Sequence, residues 1–411
     1  MGEPHEFSAF STLPLDIYDL IVDAVAELPR AVSSATLLSL TRVSRAWRSA
    51  AQSALFRDPY LSFDAPDRIE PRTHARLQDL NRTLLNRLDL AAAVAAFDLG
   101  SFTSRCLTEA KVDRRLVSRT SIELVRACPK LRHLSLPFVV KADKADLLAA
   151  LRTCCSLTSF TFGSGASVAD FWVININPEA QEQWGTAVWT RGDFRSLAAS
   201  WPSLKRVVLE ARVRGREHEE PIPWQLDTFE LALLKSHKLR FSYLDKLLAS
   251  SRPTLRRLVL KEHQLHPPDL VLLIQEYGAT LESLETTTSD RFRRNDAFAN
   301  AIASACPNLR TLRLGTPIYD LEATLSLFSH LCSLKHLTLD TVLLPRNRPS
   351  RQAPANVVRN FLALRRLSLT TGHHDDPATA TGEFSLWVAQ LREMQKALEG
   401  EVEVVLRSDF S

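Results

Sequence analysis

The chain has 411 residues, 51 of them Lys or Arg and 47 Asp or Glu, for a formal net charge of +4; 45% are hydrophobic and 24% charged. Those proportions exclude a disordered chain, a collagen-like chain and a disulfide-built miniprotein, and the near balance of charge does not by itself indicate nucleic acid. The longest unbroken apolar run, 90–97, is too short to cross a bilayer, and the acidic N-terminus has no apolar segment behind it, so an intracellular protein, cytoplasmic or nuclear, with no membrane partner is expected.

Residues 11–58 read as three short helices. Pro14 suits a helix's first turn, and Ile17, Leu20, Ile21 and Val25 recur at helical spacing on one face. After a break at 28–30, Ser33 or Ser34 is placed to cap a second helix over 35–42, and a third runs from Ser44 to about Phe56. A core this small leans on a neighbour or a partner. Residues 59–93 come next as a helical linker and N-terminal cap.

The body, 94–406, is repetitive. Leu131, Leu134 and Leu136 form an L-x-x-L-x-L phrase, repeated from Leu255, Leu309, Leu334 and Leu364, with weaker copies from Val94, Leu157, Leu204, Leu226 and Leu281. Six steps from Leu204 to Leu364 cover 160 residues, about 27 per repeat. Helical patterns at 121–127, 145–151, 242–249, 269–276, 297–305 and 321–328 lie between the phrases, and Pro129, Pro202, Pro253 and Pro307 stop the chain two residues before the next first Leu. The unit is helix, stop, short strand and loop, and single units must stack to bury their apolar faces. A helix over about 384–398 and a last strand at 402–406 are expected to close the far end.

The step from Leu157 to Leu204 is 47 residues, so an insertion is expected at about 163–203, and it holds Trp172, Trp184, Trp189 and Trp201 out of seven Trp. A loop of that length is either a recognition element or an extra strand or helix packed on the array edge. From Leu131 onward the polar positions of the strands carry ten Arg or Lys against Asp227, Glu230, Glu282 and Glu285. That surplus is either an ordinary solvated sheet face or a surface for an acidic ligand.

No catalytic constellation is visible. His373, His374, Asp375 and Asp376 lie in a polar loop; His263 and His266 precede two prolines; Gly163 and Gly165 have no following Lys-Ser/Thr for a phosphate loop. Cys128, Cys154 and Cys306, with Cys332 as a further candidate, fall at helix ends before strands, where a small buried side chain fits; Cys155 and Cys106 complete a set of six with no disulfide framework expected.

Residues 90–406 resemble leucine-rich-repeat proteins, and the phrases at 127–131 and 305–309 are similar to the cysteine-containing repeat subtype. The resemblance implies an α/β leucine-rich-repeat solenoid, a curved parallel sheet with outer helices. The asparagine usual three residues after the last Leu is replaced by Val139, His263 and Pro317, so the backbone must be satisfied by other means. The head resembles the F-box: Leu13 and Pro14 with Ile17, Leu20 and Ile21, then Leu37 to Leu40, then Val43 to Arg48, then Leu55 to Arg57; residues 77–99 are similar to the segment after the F-box in fungal F-box proteins.

An F-box implies binding to a Skp-family adaptor, which joins a cullin scaffold in an SCF-type ubiquitin ligase, with the repeats holding a protein substrate. Leu13, Pro14, Ile17, Leu20, Ile21 and Leu40 are the expected adaptor-binding residues, while Trp47 cements the head. Arg206, Arg257, Arg313, His336 and Arg366 on the strand face, with Trp172, Trp184 and Trp189 of the insertion, are the candidate substrate-binding residues. On this reading ubiquitin chemistry belongs to other subunits, so no catalytic residue, metal or cofactor is expected. Two alternatives stay open: a repeat scaffold unconnected to ubiquitin, or a binder of acidic ligands or nucleic acid through the basic strand face.

Overall fold

A computed structural model of the chain describes residues 14–59, 71–99, 114–136, 140–163, 189–209, 220–232, 238–288, 296–318, 321–342, 357–372, 392–393, 395–398 and 402–408. Leu13, Trp172, Trp184, Cys106, the 373–376 loop and most of the helix expected at 384–398 lie outside these residues. By internal contacts the chain divides into two compact units, 1–187 with 200–203, and 188–199 with 204–411, a division that falls inside the expected insertion.

The first unit opens with α1 (Leu15–Ala26), α2 (Arg30–Leu40) and α3 (Arg45–Arg57). Pro14 stands at the N-cap of α1. The buried stripe of α1 is Tyr18 and Val22 with Val25 at its flank, so Val25 parts from Ile17, Leu20 and Ile21, with which it was expected to share a face. The reason is aromatic: Tyr18 meets Trp47 of α3 edge-on, ring centroids 4.7 Å apart at 88°, and with Val22, Leu37 and Ala51 these rings form the head's core. The second helix begins five residues earlier than expected. Pro29, φ −49°, sets the helical turn, its carbonyl accepts from the Val32 and Ser33 N–H groups, and Ser33 is buried within the helix instead of capping it. Ser44 caps α3, its hydroxyl accepting from the Trp47 N–H at 3.5 Å.

Backbone and side-chain bonds hold the head in place within this unit. The Arg57 carbonyl at the end of α3 accepts the Ala95 N–H at 2.8 Å, next to the first strand, and the Arg57 guanidinium pairs with Asp23 of α1 at 2.9 Å. The unit continues through α4 (Pro71–Asn86), α5 (Leu88–Ala91), β1 (Ala96–Asp98), α6 (Arg114–Ala127), β2 (His133–Leu136), α7 (Lys144–Leu151) and β3 (Ser159–Phe162), and β1, β2 and β3 pair in parallel in that order. Trp201 belongs to this unit, where it is buried, donates its indole N–H to the Leu151 carbonyl at 2.9 Å and lies 5.1 Å from the Phe160 ring.

The second unit holds α8 (Arg191–Ala198), β4 (Arg206–Leu209), β5 (Thr228–Ala232), β6 (Lys238–Leu239), α9 (Phe241–Leu248), β7 (Arg257–Leu265), α10 (Pro267–Tyr277), β8 (Ser283–Thr288), α11 (Asp296–Ala305), β9 (Thr311–Ile318), α12 (Leu321–Phe328), β10 (His336–Val342), β11 (Arg366–Gly372) and β12 (Glu403–Ser408). Its strands run parallel in the order β4-β5-β7-β8-β9-β10-β11-β12, with β6 pairing β7 beyond the end of β5. α9 packs on α10, α10 on α11 and α11 on α12, so helices stack as the strands do. This is the leucine-rich-repeat solenoid.

Sequence dictates this repeat at each position. Each L-x-x-L-x-L strand starts two residues after the phrase's first Leu, and the three apolar positions, such as Leu309, Leu312 and Leu314 or Leu334, Leu337 and Leu339, are buried. The second-position carbonyl of one repeat accepts two N–H groups from the next: Asp227 takes Arg256 and Arg257, Arg256 takes Glu282 and Ser283, Glu282 takes Arg310 and Thr311, Arg310 takes Lys335 and His336. Side chains complete the strand-leading turns, with Thr254 donating to the Leu226 carbonyl, Thr280 to Leu255 and Asn308 to Ala279. At this end of the strands, backbone groups are met without the consensus asparagine.

In six repeats the residue three before the phrase's first residue turns the chain into the strand, its carbonyl accepting that residue's N–H: Ala91, Cys128, Cys154, Gly278, Cys306 and Leu331 do so, while Leu255 donates to Ser251, four residues before it. These side chains are buried, and burial pushes the Cys128, Cys154 and Cys306 thiols up to about 12, 11 and 12. Cys332 departs from the expectation. It stands only two residues before Leu334, the buried slot goes to Leu331, and Cys332 is exposed.

Candidate functional site

Two surfaces bring together the residues singled out from the sequence. The first is the head. Among the described residues ten large hydrophobic side chains are exposed, and six of them, Leu20, Ile21, Leu28, Val32, Leu38 and Val43, fall within 24 residues of the head. Leu20 is 64% exposed, Leu38 53% and Val43 64%. Helical periodicity explains how α1 carries two apolar stripes. Tyr18, Val22 and Val25 face the core, while Leu20 and Ile21, flanked by half-buried Ile17, lie about a third of a turn away. Pro14 is exposed beside this outer stripe. Leu40 is half-buried against the core and sits apart from it. Leu28, Val32, Leu38 and Val43 were not among the expected adaptor-binding residues, although Leu38 and Val43 fall in the phrases that resemble the F-box; their signal is an apolar residue at a helix end or on a helix's second face. An apolar surface of this density is where a small unit meets a partner.

The second surface is the strand face of the second unit. Register aligns Arg206, Thr228, Arg257, Ser283, Thr311, His336 and Arg366 in one row, and Glu230, Val259, Glu285, Arg313 and Thr338 in another. The five candidates thus share one sheet face, yet their charges are unequally free. Glu230 takes Lys261 at 2.5 Å and Arg206 at 3.9 Å; Glu285 takes Arg313 at 3.1 Å; Arg366 lies 3.7 Å from Glu403. Arg257 is exposed with no carboxylate partner among the described residues, and His336 is exposed. Arg206, Arg313 and Arg366 are therefore ion-paired on this face, with Glu230 and Glu285 interrupting the basic strip as expected from the sequence.

The tryptophans divide differently. Trp189 is 1% exposed, its ring 5.0 Å from Phe194, which in turn lies 5.7 Å from Trp224; it is core of the second unit and offers no surface to a substrate. The described part of the insertion supplies α8, started by a reciprocal capping box between Thr190 and Asp193. Among the described residues no group of three or more His, Cys, Asp or Glu is placed to hold a metal ion, and no helix is long and apolar enough to cross a membrane.

No family model matches the chain, and no curated protein does. Among solved structures it is similar to the leucine-rich-repeat-containing protein LegL7 from Legionella pneumophila, at 14% identity over 78% of this chain and 96% of that one, TM-score 0.38. It is also similar to the Rad7 and Elc1 complex of yeast, at 11% identity over 81% and 91%, TM-score 0.32. An arginine decarboxylase of Paramecium bursaria Chlorella virus matches at 12% identity over 41% and 49%, TM-score 0.19. At these scores the repeat assignment stands on the chain's own register and burial.

Proposed function

We propose that this chain is the substrate-recruiting subunit of an SCF-type ubiquitin ligase, with residues 11–58 acting as an F-box that binds a Skp-family adaptor and the repeats holding a protein substrate. The observation that carries the reading is the head's construction. Three helices close around Tyr18, Val22, Leu37, Trp47 and Ala51, yet leave Leu20, Ile21, Leu28, Val32, Leu38 and Val43 in water. Exposing that much apolar surface has a cost that a partner removes, at about 25 cal/mol per Å² of apolar area covered. The repeats support the second half of the reading, because a stack of parallel strands offers many side chains to one extended partner. The adaptor joins the cullin scaffold, and transfer chemistry resides there; this chain contributes binding and positioning.

Co-purification from cells with a Skp-family adaptor and a cullin tests the proposal. Wild type recovers both. Leu20→Asp with Ile21→Asp, both at exposed positions, leaves the fold intact and abolishes recovery of both. Full recovery by a folded double variant would remove the F-box assignment and leave a repeat scaffold unconnected to ubiquitin.

A further inference from the structure

At the second position of each repeat, where the chain turns into its strand, the side chains form a row along one edge of the second unit: Lys205, Asp227, Arg256, Glu282, Arg310, Lys335 and Arg365. Signs alternate through the first five. Lys205 lies 3.9 Å from Asp227, and Glu282 takes Arg256 at 2.8 Å and reaches Arg310 at 3.7 Å. After Arg310 the alternation stops. Lys335 and Arg365 have no carboxylate partner among the described residues, and Arg310 shares an acid already held more closely by Arg256.

The three cations sit on adjacent strands. The Lys335 N–H donates to the Arg310 carbonyl and the Arg365 N–H to the Lys335 carbonyl, each at 2.8 Å, so the backbones are one strand spacing apart, about 4.8 Å. Like charges at that spacing repel and lower stability. A hollow of about 270 Å³ lies at the paired part of the row, lined by Arg256, Thr280, Glu282, Asn308, Arg310 and Ser333, and so touches the three cations only at Arg310.

We propose that the edge formed by Arg310, Lys335 and Arg365 binds an acidic, carboxylate-rich segment of the protein that the repeats recruit. The proposal rests on the substrate-recruiting reading for that partner's role, but not for the site. The charge is the argument: the row supplies at its end the cations that its own acids leave unmatched. The span, about 10 Å over two strand spacings, fits an extended peptide, whose same-face side chains recur every two residues, about 6.7 Å. A nucleic acid fits less well, because Asp227 and Glu282 interrupt the row and none of the side chains along it is aromatic for a base to stack on.

The test uses the full chain and a fluorescein-labelled peptide carrying a run of glutamates flanked by glycines, with binding read by fluorescence anisotropy. Arg310→Gln, Lys335→Gln and Arg365→Gln together are expected to weaken the complex at least about tenfold and to flatten its salt dependence. Lys130→Gln, Lys141→Gln and Arg392→Gln remove equal charge at exposed sites elsewhere and are expected to leave affinity unchanged. Thermal melts of the row variant should match or exceed wild type, since repulsion is relieved. Unchanged affinity in the row variant, absence of binding by wild type, or an equal loss in the control set would overturn the proposal. So would an oligothymidylate that binds more tightly than the peptide through the same three residues. Adaptor binding measured on the same samples separates the two claims: a wild type that holds the peptide at this row but no adaptor defeats the ligase reading alone.

Discussion

Thr286 shows how far one side chain can depart from a repeat. It takes the last apolar position of its phrase, where other strands have Leu260, Leu314 or Leu339, and it is fully buried with a hydroxyl that has no hydrogen-bond partner among the described residues. Burying an unmatched hydroxyl costs about 1–3 kcal/mol. Thr286→Val keeps the shape and removes that group, so urea denaturation should show a gain of about 1 kcal/mol; a loss would mean the hydroxyl is matched. The thiols make a second residue-scale case. Cys128 and Cys306 are held protonated up to about 12, against an ordinary value of 9.0. The unfolded chain therefore ionises first as pH rises, and their contribution to stability is complete below about pH 9 and lost between there and 12. At pH 8 iodoacetamide should label Cys155 and Cys332 in the native protein and spare Cys128, Cys154 and Cys306, which mass spectrometry would read directly.

Elements were the most legible scale. Each strand that the leucine phrases marked, from β1 to β11, starts where the spacing put it, because the burial of three residues per phrase leaves one register, while no phrase marked the two-residue β6. The helix at 321–328 matched to the residue, while α6 began seven residues ahead of its expected start at Ser121. What local pattern does not hold is long-range. Which of two apolar stripes on α1 packs inward depends on the Tyr18 and Trp47 rings meeting, and α8 is set by the Trp189, Phe194 and Trp224 cluster across an interval of sequence. The ion pairing of Arg313 and Arg366 needed the register and could not be counted from composition. Gly278 tests the strand-leading turn. A Cβ there would stand 2.8 Å from the Ala305 carbonyl oxygen and 2.9 Å from the Cys306 sulfur, so Gly278→Ala should destabilise by about 1–3 kcal/mol through overpacking. An unchanged melting midpoint would show that the α10 and α11 ends have room to part.

At the scale of the molecule the chain separates support from recognition. Leucine ladders, the doubly accepting second-position carbonyls and the turn residues build a stack whose exposed rows are free to vary, and the head adds a small core with an uncovered apolar surface. That surface is the central claim, and hydrogen–deuterium exchange of the full chain with and without a recombinant Skp-family adaptor tests it most directly. Adaptor binding should give new protection confined to the head, strongest over α1 and the α2–α3 junction around Leu20, Ile21, Leu38 and Val43, with exchange in the repeats unchanged. Exchange in the head that the adaptor leaves untouched, or protection that falls on the repeat strands instead, would contradict it.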